Sequence, residues 1–341
     1  MKKPDWYPIP SVSQDLILLL LAFVLGPPAF SQVPDEVHIA PGEGVSLTTN
    51  VPAVASAIAS PAGPGIFRRN VDLVLVPVTI TDFDNRLVNG LGKDNFQLFE
   101  GKQPQEIKHF SDEDTPISVG ILLDLSGSMV SKIERAREAM VAFCQVANPQ
   151  DEFFLITFAN RVELAEDFTS HFENIQAKLL PLVPKGRTAL LDAVYLGLTH
   201  MQQARFSRRA LFIISDGGDN HSQYSEGEVK SLAREADVAI YSVGMFDRYF
   251  ASAEETAGPE LLDTMAVVTG GRSYTVENPN VLPAIAAKVS TELRRQYVLA
   301  YRPRNIAPDG KWHRIKIKLK LPRGLPPLLV RSKPGYYARA R

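Results

Sequence analysis

The sequence predicts an α/β fold: a doubly wound, mostly parallel sheet with helices on both faces, flanked by β-strands that form a small β-sandwich. Three observations predict it. Between about Thr115 and Arg295, short apolar runs of strand length alternate with amphipathic helical patterns, as in parallel sheets covered on both faces. On either side of that span the pattern is strands only. With 341 residues, 45% hydrophobic and 22% charged, the chain has a globular balance and room for one or two cores.

The elements follow in order. Lys2 and Lys3 precede an apolar run, residues 16–25, then Gly26-Pro27-Pro28 and a small-residue pair, Ala29 and Ser31, before Gln32. This is the grammar of an export signal, residues 1–31, and places the mature chain in the periplasm or outside the cell. The run has ten residues, about half of a bilayer span. Asp5 and Asp15 depart from a purely basic leader, which leaves an uncleaved membrane anchor as the alternative. Residues 32–66 are rich in Pro, Ala, Gly, Ser and Val without periodicity and read as a disordered linker.

A β-strand segment, 67–112, comes next: VDLVLVPVTITD, the turn DFDN, then FQLFE and IKHF. Within the α/β span, 115–295, the buried strands are SVGILLD, FFLITFA, ALFIISD, VAIYSVG and RSYTV. The helices are expected at 132–146, 189–203, 228–235, 259–268 and 280–295. The single cysteine, Cys144, continues the helical spacing Ile133, Ala136, Met140 and reads as a small buried thiol; no disulfide can form within the chain. A second strand segment, 296–341, contains QYVLAYRP, WHRIKIKLKL, PLLVR and GYYAR. We expect these strands to pack with those before Phe110 as one sandwich, with the α/β unit inserted between; two separate β appendages are the alternative. No internal repeat is visible.

Charge is divided unevenly. The formal net charge is −1, yet from Arg294 onward there are 14 Lys and Arg against one acid, Asp309. The tail is thus near +13 and the remainder near −14, which fits internal pairing or a solvated face. In WHRIKIKLKL, Ile315, Ile317 and Leu319 alternate with Lys316, Lys318 and Lys320, so one face is core and the other basic and wet. That stripe is a candidate contact for a membrane surface. Nucleic acid is disfavoured, because the interleaved residues are aliphatic and offer no stacking platform.

The chemistry concentrates at strand ends. Asp124-Leu125-Ser126-Gly127-Ser128 closes the first apolar strand just before a helix. Its three oxygen side chains at alternate positions face one way if the loop is extended. Thr188 lies at a loop-to-helix junction, and Asp216 ends the strand LFIIS. In a parallel sheet Asp124 and Asp216 share one edge, where their mutual repulsion is relieved by a hard divalent cation. Two carboxylates and three hydroxyls form an all-oxygen set suited to Mg²⁺ or Mn²⁺ rather than zinc. Two aspartate charges cancel one such ion, leaving an electrophilic centre that gains most from one further carboxylate.

Asp124-x-Ser126-x-Ser128, Thr188 and Asp216 resemble, in order and context, the metal ion-dependent adhesion site of von Willebrand factor type A domains. The resemblance implies that the serines and threonine bind the metal directly, and the aspartates directly or through water. It also implies that the last coordination position takes an acidic side chain of a protein partner. The flanks, VPVTITDFDNRLVNGLGKDNFQLFEGKQPQEIKHF and QYVLAYRP with GYY, resemble the companion segments of bacterial secreted proteins related to that family.

Competing chemistry finds less support. The six histidines, His38, His109, His171, His200, His221 and His313, lack metal-ligand spacing, and there is no H-E-x-x-H. There is no phosphate-loop motif, and no base is nominated for Ser126 as a nucleophile. Asp219-Asn220-His221 reads as a polar loop, with tuning of ligand choice as the alternative, and Arg187 as a solvent-facing side chain or an anchor for the partner's carboxylate. Asp192 reads as a supporting hydrogen-bond partner or a first-turn acid on the helix dipole. The expectation is therefore a non-enzymatic, exported adhesion or assembly module. A metal-assisted phosphate-ester hydrolase and a metal-free scaffold remain open at this stage; the oligomeric state is not readable.

Overall fold

The computed structural model describes residues 73–216, 218–246, 253–304, 309–321 and 326–338. The expected export signal and linker lie outside these residues. Among the described residues no helix is long and apolar enough to cross a membrane.

The α/β unit begins at β5, Ser118–Asp124, preceded in the chain by four strands: β1 (Val74–Thr81), β2 (Phe96–Glu100), β3 (Gln103–Gln105) and β4 (Ile107–Ser111). It continues with α1 (Ile133–Gln145), β6 (Glu152–Phe158), β7 (Val162–Thr169), α2 (Phe172–Leu179) and α3 (Leu190–His200). Then come β8 (Arg209–Ser215), α4 (Glu226–Glu235), β9 (Ala239–Met245), α5 (Ala253–Thr269), β10 (Arg272–Val276) and α6 (Leu282–Arg294). The six strands lie in the order β10-β9-β8-β5-β6-β7; all neighbouring pairs are parallel except β6 with β7.

Alternation along the central strands sorts their side chains to two cores. Val119, Ile121 and Leu123 of β5 face α1, α2 and α6, where Met140, Phe143, Leu179 and Val289 are buried. Leu122 faces the other way, with Phe154 and Ile156 of β6, onto Leu190 and Val194 of α3, Val229 of α4 and Leu262 of α5. This two-sided cover is why these strands are apolar throughout. Gly120 sits between them for want of space: a Cβ there would lie 2.1 Å from Phe154 Cζ and 2.7 Å from Leu211 Cδ2.

Three differences from the sequence reading have local causes. β7 was not expected, because an antiparallel edge strand is buried on neither face completely and shows no clean alternation. The short α2 buries only Ile175 and Leu179, too little for a periodic signal. Helix α5 starts at Ala253 and carries Pro259 inside it, where Gly258-Pro259 reads locally as a helix start. Its buried Leu262, Met265 and Ala266 hold the helix across the missing hydrogen bond.

The flanking strands meet. β11 (Tyr297–Tyr301), β12 (Trp312–Leu319), β13 (Leu329–Ser332) and β14 (Gly335–Tyr337) complete two antiparallel sheets, β13-β1-β11-β4 and β14-β12-β2-β3. N-terminal β1 pairs with C-terminal β11 and β13, and β2 with β12. Their inward residues, among them Val76, Val78, Leu98, Tyr297, Leu299, Ile315 and Ile317, form one core. Arg314, Lys316 and Lys318 are exposed on β12, as the alternation requires.

A buried polar seam joins this sandwich to the α/β unit. Glu292 of α6 accepts from Tyr274 Oη at 2.8 Å and Tyr241 Oη at 3.4 Å. Arg272 and Arg331 stand 3.7 and 3.9 Å from the same carboxylate and both donate to Asn85 Oδ1. Gln296 Nε2 bridges Thr79 of β1 to Tyr241 of β9, 3.2 Å to each. Burial first, then the Glu292 charge, push both tyrosine hydroxyls well above their ordinary range.

Candidate metal centre

The strand order places the candidate centre. The chain leaves β5 to one side for β6 and later returns on its other side as β8, so the carboxyl ends of β5 and β8 flank the point where strand order reverses. The two strands run in parallel register, Leu123 opposite Ile214. Asp124 therefore ends one strand beside Ser215, with Asp216 the next residue. Asp124 is 0% and Asp216 1% exposed.

Four of the five predicted residues are linked directly. Asp124 Oδ1 accepts from the Ser126 amide at 2.7 Å, and Ser126 Oγ lies 3.1 Å from Ser128 Oγ. Ser128 Oγ donates to Asp216 Oδ1 at 2.7 Å. Ser126 keeps an extended backbone (φ −64°, ψ 165°) before the chain tightens into a 3-10 turn, Gly127–Ser131, and enters α1. The extended loop expected from the alternate oxygen positions is thus present at its first step. Ser126 is buried, while Ser128 is exposed at the rim.

Thr188 is held by its loop. Lys185 N donates to Leu125 O at 2.7 Å and Gly127 N to Gly186 O at 3.0 Å, which lashes the two loops together. Gly186 takes φ +92°, and a Cβ there would lie 2.7 Å from Asn160 Oδ1, the atom that accepts from Arg187 N. Thr188 N donates to Asn220 Oδ1 at 2.9 Å, and Thr188 O accepts from the amides of Asn220 and His221. The residue is buried against these loops.

Electrostatics at the crevice are unbalanced. Burial pushes the Asp124 carboxyl up to about 6; the hydrogen bond from Ser215 opposes this and the neighbouring Asp216 charge adds to it. Asp216 Oδ2 pairs with Lys132 Nζ at 2.6 Å. Among the described residues the two buried carboxylates thus meet one ammonium, which matches one of their two negative charges. The donors fit a hard divalent cation: every side chain offers oxygen, and two of the five are carboxylates. Among the described residues no group of three or more His, Cys, Asp and Glu could hold a metal. A cation at this crevice therefore depends on the hydroxyls.

Sequence reasoning did not assign roles to Lys132, Ser215, Asn160 or Asn220. Ser215 Oγ donates to Asp124 Oδ2 at 2.5 Å, and the two asparagines carry the Thr188 loop. The available signals were weak: Lys132 falls one turn after Ser128, and Ser215 precedes Asp216 in chain. Asp192 accepts from the amides of Gln223 and Tyr224, and Asp219 from Leu191 N, so both support the loop after β8. The Arg187 side chain is exposed. Cys144 is half-buried against the core rather than fully enclosed, and burial raises its thiol well above the usual range.

Residues 119–218, which contain all five candidate residues, match the family model of the von Willebrand factor type A domain. The α/β unit is thus a von Willebrand factor type A-like fold, with a mostly parallel central sheet and additional antiparallel strands outside it. A curated relative, an uncharacterized protein of Borreliella burgdorferi, is 24% identical over 182 residues, covering 46% of this chain and 53% of that one. The chain therefore spans about half the length of that relative. Among solved structures, a von Willebrand factor type A protein from Catenulispora acidiphila is similar at 12% identity, covering 66% of both chains, TM-score 0.46. The PilB minor pilin from Streptococcus sanguinis is similar at 13% identity over 54% of this chain and 63% of that one, TM-score 0.45. The conserved hypothetical protein BatB from Bacteroides thetaiotaomicron is similar at 20% identity over 52% and 98%, TM-score 0.40.

Proposed function

We propose that this chain is an exported protein-binding module, for adhesion or assembly, that captures a Glu or Asp of a partner protein through one Mg²⁺ or Mn²⁺. Asp124, Ser126, Ser128, Thr188 and Asp216 would hold the ion. The observation that carries this reading is the pair of buried carboxylates at the strand switch point, linked through Ser126 and Ser128, with Lys132 on Asp216 the one cation paired with either among the described residues. A divalent ion supplies the missing positive charge and presents an electrophilic face to a further carboxylate.

The site favours binding over turnover. Ser126 Oγ has Ser128 Oγ beside it, and no histidine is bonded to either serine among the described residues. The Ser128 hydroxyl is instead committed to the Asp216 carboxylate, the geometry of a joint oxygen ligand set. Exposed Arg314, Lys316 and Lys318 would give a secondary contact for an anionic membrane surface.

Calorimetric titration of the purified chain with Mg²⁺ and Mn²⁺, beside a Ser126→Ala, Ser128→Ala double variant, tests the reading. Saturable binding that the variant loses is the expected result, followed by metal-dependent capture of acidic protein ligands. No binding at millimolar metal, with or without such a ligand, would overturn it. Turnover of a generic phosphate ester, abolished by Asp124→Ala, would establish a hydrolase instead.

A further inference from the structure

The ion pair between Lys132 and Asp216 enters the reading above only as a count of charge, and its placement deepens that reading. Resting on that metal-binding reading, we infer that Lys132 is a built-in counter-cation that weakens binding of the metal alone and tightens capture of the acidic ligand by the metal-loaded site.

Lys132 is placed for this. Its backbone closes the turn after Ser128, the amide donating to Met129 O at 2.9 Å, and Met129 is fully buried. From that anchored position the side chain runs back to the crevice, 18% exposed, and its ammonium meets Asp216 Oδ2 at 2.6 Å. The other oxygen of Asp216 takes the Ser128 hydroxyl. Among the described residues it is the cation paired with either crevice carboxylate.

The charge sequence then differs from that of a bare two-aspartate site. Asp124, Asp216 and Lys132 sum to −1; a divalent ion takes the site to +1, and a partner's carboxylate returns it to zero. Without Lys132 the same steps run −2, zero and −1. In a buried crevice the neutral state is the favoured one. With Lys132, neutrality is reached only when metal and carboxylate are both present. Metal alone therefore binds more weakly, and the metal-loaded site takes the carboxylate more tightly, than in a site without the lysine. The device keeps the site from filling with metal when no partner is at hand.

The test measures Mn²⁺ affinity by calorimetry for the full chain, Lys132→Met, Lys132→Gln and Lys132→Arg, each with and without saturating acetate. Circular dichroism and melting in EDTA report folding. The wild type and Lys132→Arg are expected to gain Mn²⁺ affinity when acetate is present. Lys132→Met and Lys132→Gln are expected to bind Mn²⁺ alone about tenfold or more tighter, with a smaller gain at the same acetate concentration, and to melt lower in EDTA. Equal or weaker Mn²⁺ binding by both neutral variants, or an undiminished acetate gain, overturns the role of Lys132 while leaving the metal site intact. Folded proteins that all ignore Mn²⁺, with and without acetate, overturn the metal reading and this inference together.

Discussion

The Ser215 hydroxyl donates to Asp124 Oδ2 at 2.5 Å, across the boundary between the two strands that carry the candidate ligands. It leaves Asp124 with both oxygens bonded, one to Ser215 and one to the Ser126 amide. The carboxylate is therefore oriented before any ligand arrives, by a group that is not itself a predicted ligand.

Removing that support is expected to weaken metal binding without abolishing it. Ser215→Ala should reduce Mg²⁺ affinity by about tenfold, the range for partners that orient a metal ligand. Calorimetry beside Ser126→Ala, Ser128→Ala distinguishes the two: a partial loss in the first, a complete loss in the second. An unchanged affinity in Ser215→Ala would show that Asp124 is positioned by the backbone alone.

The pH response follows from Asp124. Its carboxyl is raised from 3.8 to about 6, by burial above all, with the Ser215 bond opposing and Asp216 adding. A group whose pKa is higher in the folded than in the unfolded chain contributes stability fully present below about pH 4 and lost as pH rises through about 6. The loss for the metal-free protein amounts to about 3 kcal/mol. Urea denaturation in EDTA should show that decline on top of the other titrations, and saturating Mg²⁺ should reduce it. Metal affinity itself should fall as pH drops below about 6, because the ligand must be ionised.

Gly120→Ala is expected to destabilise the α/β unit by about 1–3 kcal/mol, since the new methyl meets the Phe154 ring at 2.1 Å. Phe154→Leu in the same chain should recover part of that loss by vacating the space. A double-mutant cycle by thermal melting checks it; strict additivity would place the strain elsewhere.

Glu292→Gln should be among the most costly single changes. It leaves Arg272 and Arg331 facing each other in the seam without a counter-charge, an expected loss of about 3–5 kcal/mol. Denaturant titration measures it, and Arg331→Met in the Glu292→Gln background should restore part of the stability. A loss below about 1 kcal/mol would show that water reaches the seam.

Much of the fold was legible because burial imposes local patterns. The apolar strands β5, β6, β8 and β9 read as strands because both faces are covered, and the basic stripe of β12 read correctly because one face is. β7, α2 and the start of α5 were missed where burial is partial or a Gly-Pro pair interrupts the pattern. Asp124 and Asp216 stood out because an acidic group ending an apolar strand has no strand-forming reason to be there, and Ser126, Ser128 and Thr188 joined them through the resemblance in order and context.

The sequence by itself determined the buried strands, most of the helices and the two aspartates that end β5 and follow β8, since these follow from neighbours a few positions apart. Only the tertiary structure decided that Lys132 pairs with Asp216, 84 positions away, and that Ser215 supports Asp124 across 91. The physical reason is strand order. Placing β8 rather than any other strand beside β5 sets which side chains meet, and that choice comes from the packing of all the helices and sheets together.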